Sequence, residues 1–241
     1  GIRVYSLSEV GRSTTRKTAF MCQGYRLLKV DEVDNRPIST ETLNSLVNLL
    51  RKLKGDLCVF SDFRHGIFNK NSIESLTEAI VGFKFRVADS QVASRWGNIC
   101  EFKNFDLVTP NEREARFSLG DQDSTIHRLA INLRKESGAK NVIIKLGERG
   151  ILACSNNLET PDFIGLNALQ NEVIDAVGAG DALLAYSSLS LASGTNLSVS
   201  SLLGSIAASI SCAHNGNIPI SCEDLGKEIK RIEKYLQYTI E

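Results

Sequence analysis

Apolar positions along this chain fall into two alternating rhythms. Leu43, Leu46, Val47, Leu49, Leu50 and Leu53 recur at the three- and four-residue spacing of a helix that buries one face. The compact apolar run Asp56–Ser61 then predicts a strand of the buried type. The same alternation continues. A helix is predicted over Ser72–Val81, opened by a capping box at Asn71 and Glu74, and strands over Phe85–Ala88 and Leu107–Thr109. A helix over Ser124–Ser137 leads to strand Asn141–Lys145, the turn Leu146–Gly150 and strand Ile151–Ser155. Further on come strand Glu172–Asp175, a helix from Gly178 to about Ala192 and another from about Val199 to His214. Ser193–Ser201, rich in Ser, Thr and Asn, reads as the loop between those two helices, and a charged amphipathic helix over about Asp224–Tyr238 closes the chain. Residues 1–35 are different. Ile2–Ser6, Thr18–Cys22 and Tyr25–Asp31 read as short strands around a turn at Gln23-Gly24. The expectation is a small set of strands in 1–35 and an α/β core in 36–241, its mostly parallel sheet covered by helices on both faces.

Composition narrows the function classes. The 241 residues suffice for one large α/β domain, and 42% hydrophobic with 23% charged residues is ordinary for a globular protein. Lys plus Arg and Asp plus Glu both number 28, so no basic field supports a nucleic-acid or membrane-surface partner. An anionic ligand must be caught by local groups. No apolar stretch approaches the length of a membrane span. Six cysteines without a C-x-x-C pair, three of them (Cys58, Cys154, Cys212) inside apolar runs, read as reduced thiols of a cytoplasmic protein. The first residues have no signal-peptide profile and no initiator Met, which reads as a processed chain or a piece of a longer one.

The chemistry concentrates at Asp175-Ala176-Val177-Gly178-Ala179-Gly180-Asp181. The first turn of a helix offers backbone N–H groups without intrahelical partners and the positive end of the helix dipole. Gly178 and Gly180 let a phosphoryl group approach that backbone, and Asp181 puts a carboxylate beside it that can take a proton from an attacking hydroxyl. Alone, the motif is also compatible with a plain strand-to-helix turn. Two other segments follow strands in the same way. Thr109-Pro110-Asn111-Glu112-Arg113-Glu114 places polar groups at a strand's carboxyl end, where open α/β sheets bind ligands, although Asn111 also suits a helix cap. Lys145-Leu146-Gly147-Glu148-Arg149-Gly150 is either a hairpin turn or a third ligand loop. Their common placement, in chain order, is more specific than any one of them.

With these segments in place the chain resembles the PfkB/ribokinase carbohydrate kinases, and among them the heptose-phosphate kinase type. The likeness runs from about Ser13 to Leu225. It is carried by Thr14-Thr15-Arg16-Lys17, Leu27–Asp31, Ser61-Asp62-Phe63-Arg64-His65-Gly66, Thr109–Glu114, the Gly178–Asp181 segment and Ala207–Gly216. It implies a ribokinase-like three-layer α/β/α fold with lid-type strands at its start. It also implies ATP-dependent phosphorylation of a sugar or sugar phosphate. Asp181 would be the base, and Gly178, Ala179 and Gly180 the anion hole. Asn111 and Glu114 would organise Mg2+ and phosphates through water, and Lys145 and Gly147 would lie along the nucleotide. Ser211, Asn215 and Gly216 would form the adenine pocket. Asp175 and the Val177 carbonyl fall where many members bind a monovalent cation, K+.

The resemblance has gaps. Members carry a further upstream region with a Gly-Gly sugar-binding motif, so the sugar site would need an upstream segment, a partner chain or a second subunit of a homodimer to complete it. Ala176 replaces the usual Thr, Ala19 a lid Arg and His65 a Lys, and Ala88-Asp89-Ser90-Gln91 replaces D-P-K. Three cations that would hold a phosphorylated sugar are thereby missing or weakened. His65 is either a partial substitute or a solvated loop residue, and Lys17 is retained on the lid. The rival reading is a catalytically impaired, kinase-like nucleotide-binding or regulatory module of a larger protein or assembly.

Overall fold

The computed structural model describes residues 1–23, 25–91, 98–155, 162–169 and 173–240. Two sheets are present among them. The first pairs β1 (Arg16–Cys22) with β2 (Tyr25–Glu32) in an antiparallel hairpin, Arg16 opposite Glu32 and Cys22 opposite Tyr25. The second has six strands in the order β3 (Leu57–Asp62), β4 (Phe85–Ser90), β5 (Leu107–Val108), β6 (Asn141–Lys145), β7 (Ile151–Ser155) and β8 (Phe163–Leu166). Strands β3 to β6 run parallel, and β6–β7 and β7–β8 are antiparallel. The helices are α1 (Thr40–Lys52), α2 (Lys70–Ala79), α3 (Glu112–Leu119), α4 (Ile126–Ser137), α5 (Ala179–Ala192), α6 (Leu197–Cys212) and α7 (Cys222–Ile240).

Side-chain alternation along the central strands explains the layering. Ala88, Val108, Val142, Ile144, Leu152 and Cys154 point to one face, where they pack with Val47 of α1, Leu76 of α2, Ala115 of α3 and Leu129 and Leu133 of α4. Val87, Leu107, Ile143, Ile151 and Ala153 point to the other, against Leu183, Leu184 and Leu197 of α5 and α6. Both faces of β4 to β7 are therefore buried, which is why those strands read as continuous apolar runs. Phe60, Phe102 and Phe105 fill the first layer as an aromatic cluster with ring centroids 5.6–6.2 Å apart. Helix α7 lies outside this frame, joined to α6 through Ile206, Ala207 and Leu225. None of the described helices is long and apolar enough to cross a membrane.

Several expectations shift on inspection. Ile2–Ser6 is not a strand: Ile2 and Val4 are 93% and 79% exposed, and only β1 and β2 pair in this region. β-Propensity without a partner edge does not hold a strand. The capping box of α2 lies two residues earlier than expected. Asn69 accepts from Ser72 N–H at 3.2 Å, and the Ser72 hydroxyl takes the Asn69 N–H at 2.9 Å. Strand Glu172–Asp175 does not form over its described residues, while Glu172 lies outside them. Ile174 and Asp175 instead donate their N–H groups to the carbonyl of Cys212, at the end of α6. Gly24 of the turn at Gln23-Gly24 also lies outside the described residues, and Gln23 there has φ +47°. All six cysteines are free. Burial pushes the Cys58 and Cys100 thiols up to about 11 and about 12, so both are inert at neutral pH.

Candidate active site

The carboxyl ends of β3 to β6 and the start of α5 gather most of the candidate residues. Six of the seven α-helices among the described residues begin under a side chain that accepts a first-turn amide: Ser39, Asn69, Asn111, Thr125, Asn196 and Ser221. Helix α5 begins at Gly178, which has no side chain to cap it and a φ of +85°. A Cβ there would stand 2.4 Å from Asn217 Oδ1, so a residue without one is required. Of the first-turn amides, Ala179 N–H turns back to the Ala176 carbonyl at 3.3 Å. Those of Gly180 and Asp181 are the remaining donors at the positive end of a 14-residue helix.

Lys145, the last residue of β6, reaches over this end. A Cβ added to Gly180 would lie 3.5 Å from Lys145 Nζ. The ammonium is held by Asp89, the fifth residue of β4, at 3.0 and 3.2 Å to its two carboxylate oxygens. Asp89 is buried and also accepts from the Thr109 hydroxyl at 3.1 Å. Asp181 is half-buried in the same cluster. Burial first, and then the Asp89 carboxylate, push its carboxyl above its ordinary value, against the opposing pull of Lys145 and Lys17. Lys17 comes from β1, with Nζ 5.7 Å from the Phe63 ring centroid. A cation, two carboxylates and a free helix terminus therefore share one end of the sheet.

The remaining candidates divide. Asn111, Lys145 and Gly147 line a single groove of about 620 Å³ together with Arg113 and Phe117. The backbone explains why: Lys145 N–H donates to the Pro110 carbonyl at 2.9 Å, and Asn111 forms an isolated parallel bridge with Lys145. Asn111 and Glu114 form the capping box of α3. Glu114 N–H donates to Asn111 Oδ1 at 2.8 Å, and the Glu114 carboxylate accepts the Asn111 N–H at 2.7 Å. Glu114 is buried in that role. Asp175 takes the N–H groups of Val177 and Gly216 at 3.1 and 3.2 Å, and the buried Ser211 donates to the Val177 carbonyl at 3.4 Å. Asp175, Ser211 and Gly216 thus fix the turn ahead of α5 to the end of α6, while Asn215 beside them is exposed. Among the described residues there is no cluster of three His, Cys, Asp or Glu side chains suited to a metal ion.

Asp89 is the site residue that sequence reasoning passed over, noting it only as part of a departure from a pattern. A signal was available: it is an acidic residue at the end of a buried-type strand, the same kind of position that singled out Asn111 and Lys145. His65 lies at the base of the β1–β2 arm, its Nδ1 3.2 Å from the Thr15 hydroxyl. Burial, followed by the Lys17 cation, holds it below its usual value, against Asp31 and Asp62.

The sheet, covered by helices on both faces, thus carries at its carboxyl edge a glycine-opened helix with an acidic first turn. The family model for pfkB family carbohydrate kinases matches residues 4–223, and the chain belongs to that family. Its fold is ribokinase-like. It superposes on phosphofructokinase-2 from Escherichia coli, solved in complex with potassium, with a TM-score of 0.70 and 19% identity, covering 86% of this chain and 67% of that one. Ribokinase from Thermotoga maritima gives a TM-score of 0.69 at 22% identity, covering 90% of this chain and 70% of that one. Among curated proteins, the bifunctional protein HldE of Desulfatibacillum aliphaticivorans is 26% identical over 230 residues, which are 93% of this chain and 46% of that protein. HldE of Trichlorobacter lovleyi is 26% identical over 218 residues, covering 88% and 43%. The chain spans less than half the length of these relatives.

Proposed function

We propose that this chain is the nucleotide-binding, catalytic part of an ATP-dependent cytoplasmic sugar or sugar-phosphate kinase, with Asp181 as general base. The observation that carries the reading is the start of α5. It is the one α-helix amino terminus among the described residues left without a side-chain cap, and it has a half-buried carboxylate in its first turn. In the reaction, the Asp181 carboxylate takes the proton of the acceptor hydroxyl as that oxygen forms its bond to the γ-phosphorus. The bond from phosphorus to the bridging oxygen breaks, and ADP leaves with the electron pair. The first-turn amides of Gly180 and Asp181 and the Lys145 ammonium stabilise charge on the transferring group, while Gly178 and Ala179, expected in that anion hole, instead shape the turn that presents them, the Ala179 N–H being engaged by the Ala176 carbonyl. Catalysis is then mainly positioning and electrostatics.

The nucleotide would follow the groove lined by Asn111, Lys145 and Gly147, its adenine toward Ser211, Asn215 and Gly216. Mg2+, when bound, would neutralise the phosphate oxygens. The Glu114 carboxylate is engaged by the Asn111 amide, so this pair suits a water-mediated hold on the metal rather than direct ligation. Asp175 and the Val177 carbonyl are the candidate K+ ligands; their present hydrogen bonds keep both oxygens in one turn. A heptose phosphate is the acceptor class the HldE relatives suggest. Ala19, His65 and Gln91 replace cations expected for it, so the acceptor panel must be wider. The remainder of the sugar site would come from an upstream segment, a partner chain or a second subunit.

The test is ATP consumption against a panel of sugars and sugar phosphates, with this chain and with a longer chain from the same reading frame. Turnover that vanishes in Asp181→Asn supports the kinase. Nucleotide binding without turnover on any acceptor, in the longer form, would replace it with the regulatory-module reading, which the altered acceptor positions favour.

A further inference from the structure

The β1–β2 arm carries Lys17 toward the site, yet neither of its faces is packed. Phe20 and Met21 on β1 and Leu27 and Leu28 on β2 are between 52% and 71% exposed. A bare two-stranded hairpin is marginal in water, so its orientation must be set at its base. There one side chain gathers the contacts. Arg12, just ahead of β1, donates through Nη1 to the Asp34 carbonyl at 3.0 Å and the His65 carbonyl at 3.4 Å. Through Nη2 it donates to the Arg36 and Pro37 carbonyls at 2.7 and 2.9 Å. Its Nε lies 3.4 Å from Glu9 Oε2, and Glu9 in turn accepts the N–H of Ser39, the cap of α1.

The carbonyl partners come from two places, the limb leaving β2 and the loop after β3, and Glu9 extends the contacts to the start of α1. The guanidinium thus ties both limbs of the arm to the carboxyl edge of the large sheet. Its side chain is only 15% exposed. The loop meets the limb closely as well. Ile38 N–H donates to the Gly66 carbonyl at 3.1 Å, and Gly66, at φ +90°, would place a Cβ 1.9 Å from the Arg36 carbonyl oxygen. A planar fork of five N–H donors can serve four carbonyls in a fixed array; a lysine ammonium, with three donors about one point, cannot.

We propose that Arg12 is the hinge pin of the β1–β2 arm, a positioning residue that holds the arm over the sheet edge and so delivers Lys17 to the site around Asp181. The kinetic half of this inference rests on the kinase reading; the structural half does not.

The experiment uses the full chain carrying Arg12→Lys or Arg12→Gln. Cys22 at the tip of β1 and Cys222 at the start of α7 are both free and exposed, so they accept spin labels once Cys58 and Cys212 are replaced by Ala. The unaltered arm gives a single narrow Cys22–Cys222 distance peak, and both Arg12 variants lose it while keeping the parent's thermal transition. In a chain with turnover, the acceptor KM rises about tenfold, equivalent to ~1.4 kcal/mol, and the ATP KM stays within about twofold. A distance peak unchanged in Arg12→Gln overturns the hinge pin. So does a broadened peak with an unchanged acceptor KM, or a collapse of the thermal transition, which marks a merely structural residue. If the peak broadens but neither the parent nor the longer chain from the same reading frame phosphorylates any acceptor, the kinase reading fails and the hinge pin stands.

Discussion

The start of α5 and the β1–β2 arm face the same end of the sheet but are held there by different means. The α5 terminus is anchored from behind. Leu183 and Leu184 sink into the core beside Val87, Leu107 and Ile143, and Asp175 and Ser211 lock the preceding turn. The arm has no apolar anchor and hangs from Arg12 and its carbonyl partners. Buried apolar area fixes position with little dependence on any one polar group, whereas a hydrogen-bonded hinge depends on a few. The difference teaches where chemistry and fold can be separated. Polar residues at the α5 terminus can change without unfolding the sheet, while changes at the arm's base alter geometry.

The largest expected effect is at Asp181. Replacing it by Asn should lower turnover by about 10³-fold, within the range of general-base catalysis, and should not lower the thermal transition at neutral pH. Burial and Asp89 raise the folded-state carboxyl above its unfolded value. A group raised in this way contributes stability when protonated, below the ordinary carboxylate value, and loses it as pH rises through the raised value. At pH 7 the neutral Asn should therefore be at least as stable as the native residue, and calorimetry across pH 3–8 checks it. A turnover loss that tracks a loss of fold would erase the contrast between the two regions.

Next is Lys145→Met. It removes a donor beside the α5 terminus, and turnover should fall about 10²-fold. It also removes one of the two cations opposing the shift at Asp181, so the acid limb of kcat/KM should move to higher pH. A steady-state pH profile reads both, and an acid limb moved downward would contradict the electrostatic account. The smallest effect concerns Asn111, placed here as the cap of α3. Asn111→Ala should cost about 1 kcal/mol of stability, read by urea unfolding. An ATP KM that rises more than stability predicts would sharpen its second role along the groove.

Much of this arrangement was legible in the residues. The ranges Asn141–Lys145 and Ile151–Ser155 match the observed β6 and β7, because apolar runs closed by a glycine-containing turn leave little freedom. Gly178 to Asp181 announced the helix terminus through residue types that only such a turn needs. The failures share a cause: they depend on partners far away in sequence. Ile2–Ser6 has strand propensity but no neighbour to pair with, and the amides of Ile174 and Asp175 are taken up by the end of α6. Asp89 gains its meaning only when Lys145, 56 residues on, lies across it. Arg12 is equally silent in sequence, since its acceptors are main-chain carbonyls that any residue carries.

The most direct test of the central claim is a crystal structure of the chain with a non-hydrolysable ATP analogue and Mg2+. The account predicts the terminal phosphate within hydrogen-bonding distance of the Gly180 and Asp181 amides, with Lys145 turned from Asp89 toward it and the Asp181 carboxylate open on the acceptor side. A nucleotide bound with its phosphates away from the start of α5, or an Asp181 carboxylate closed off by protein, would contradict it.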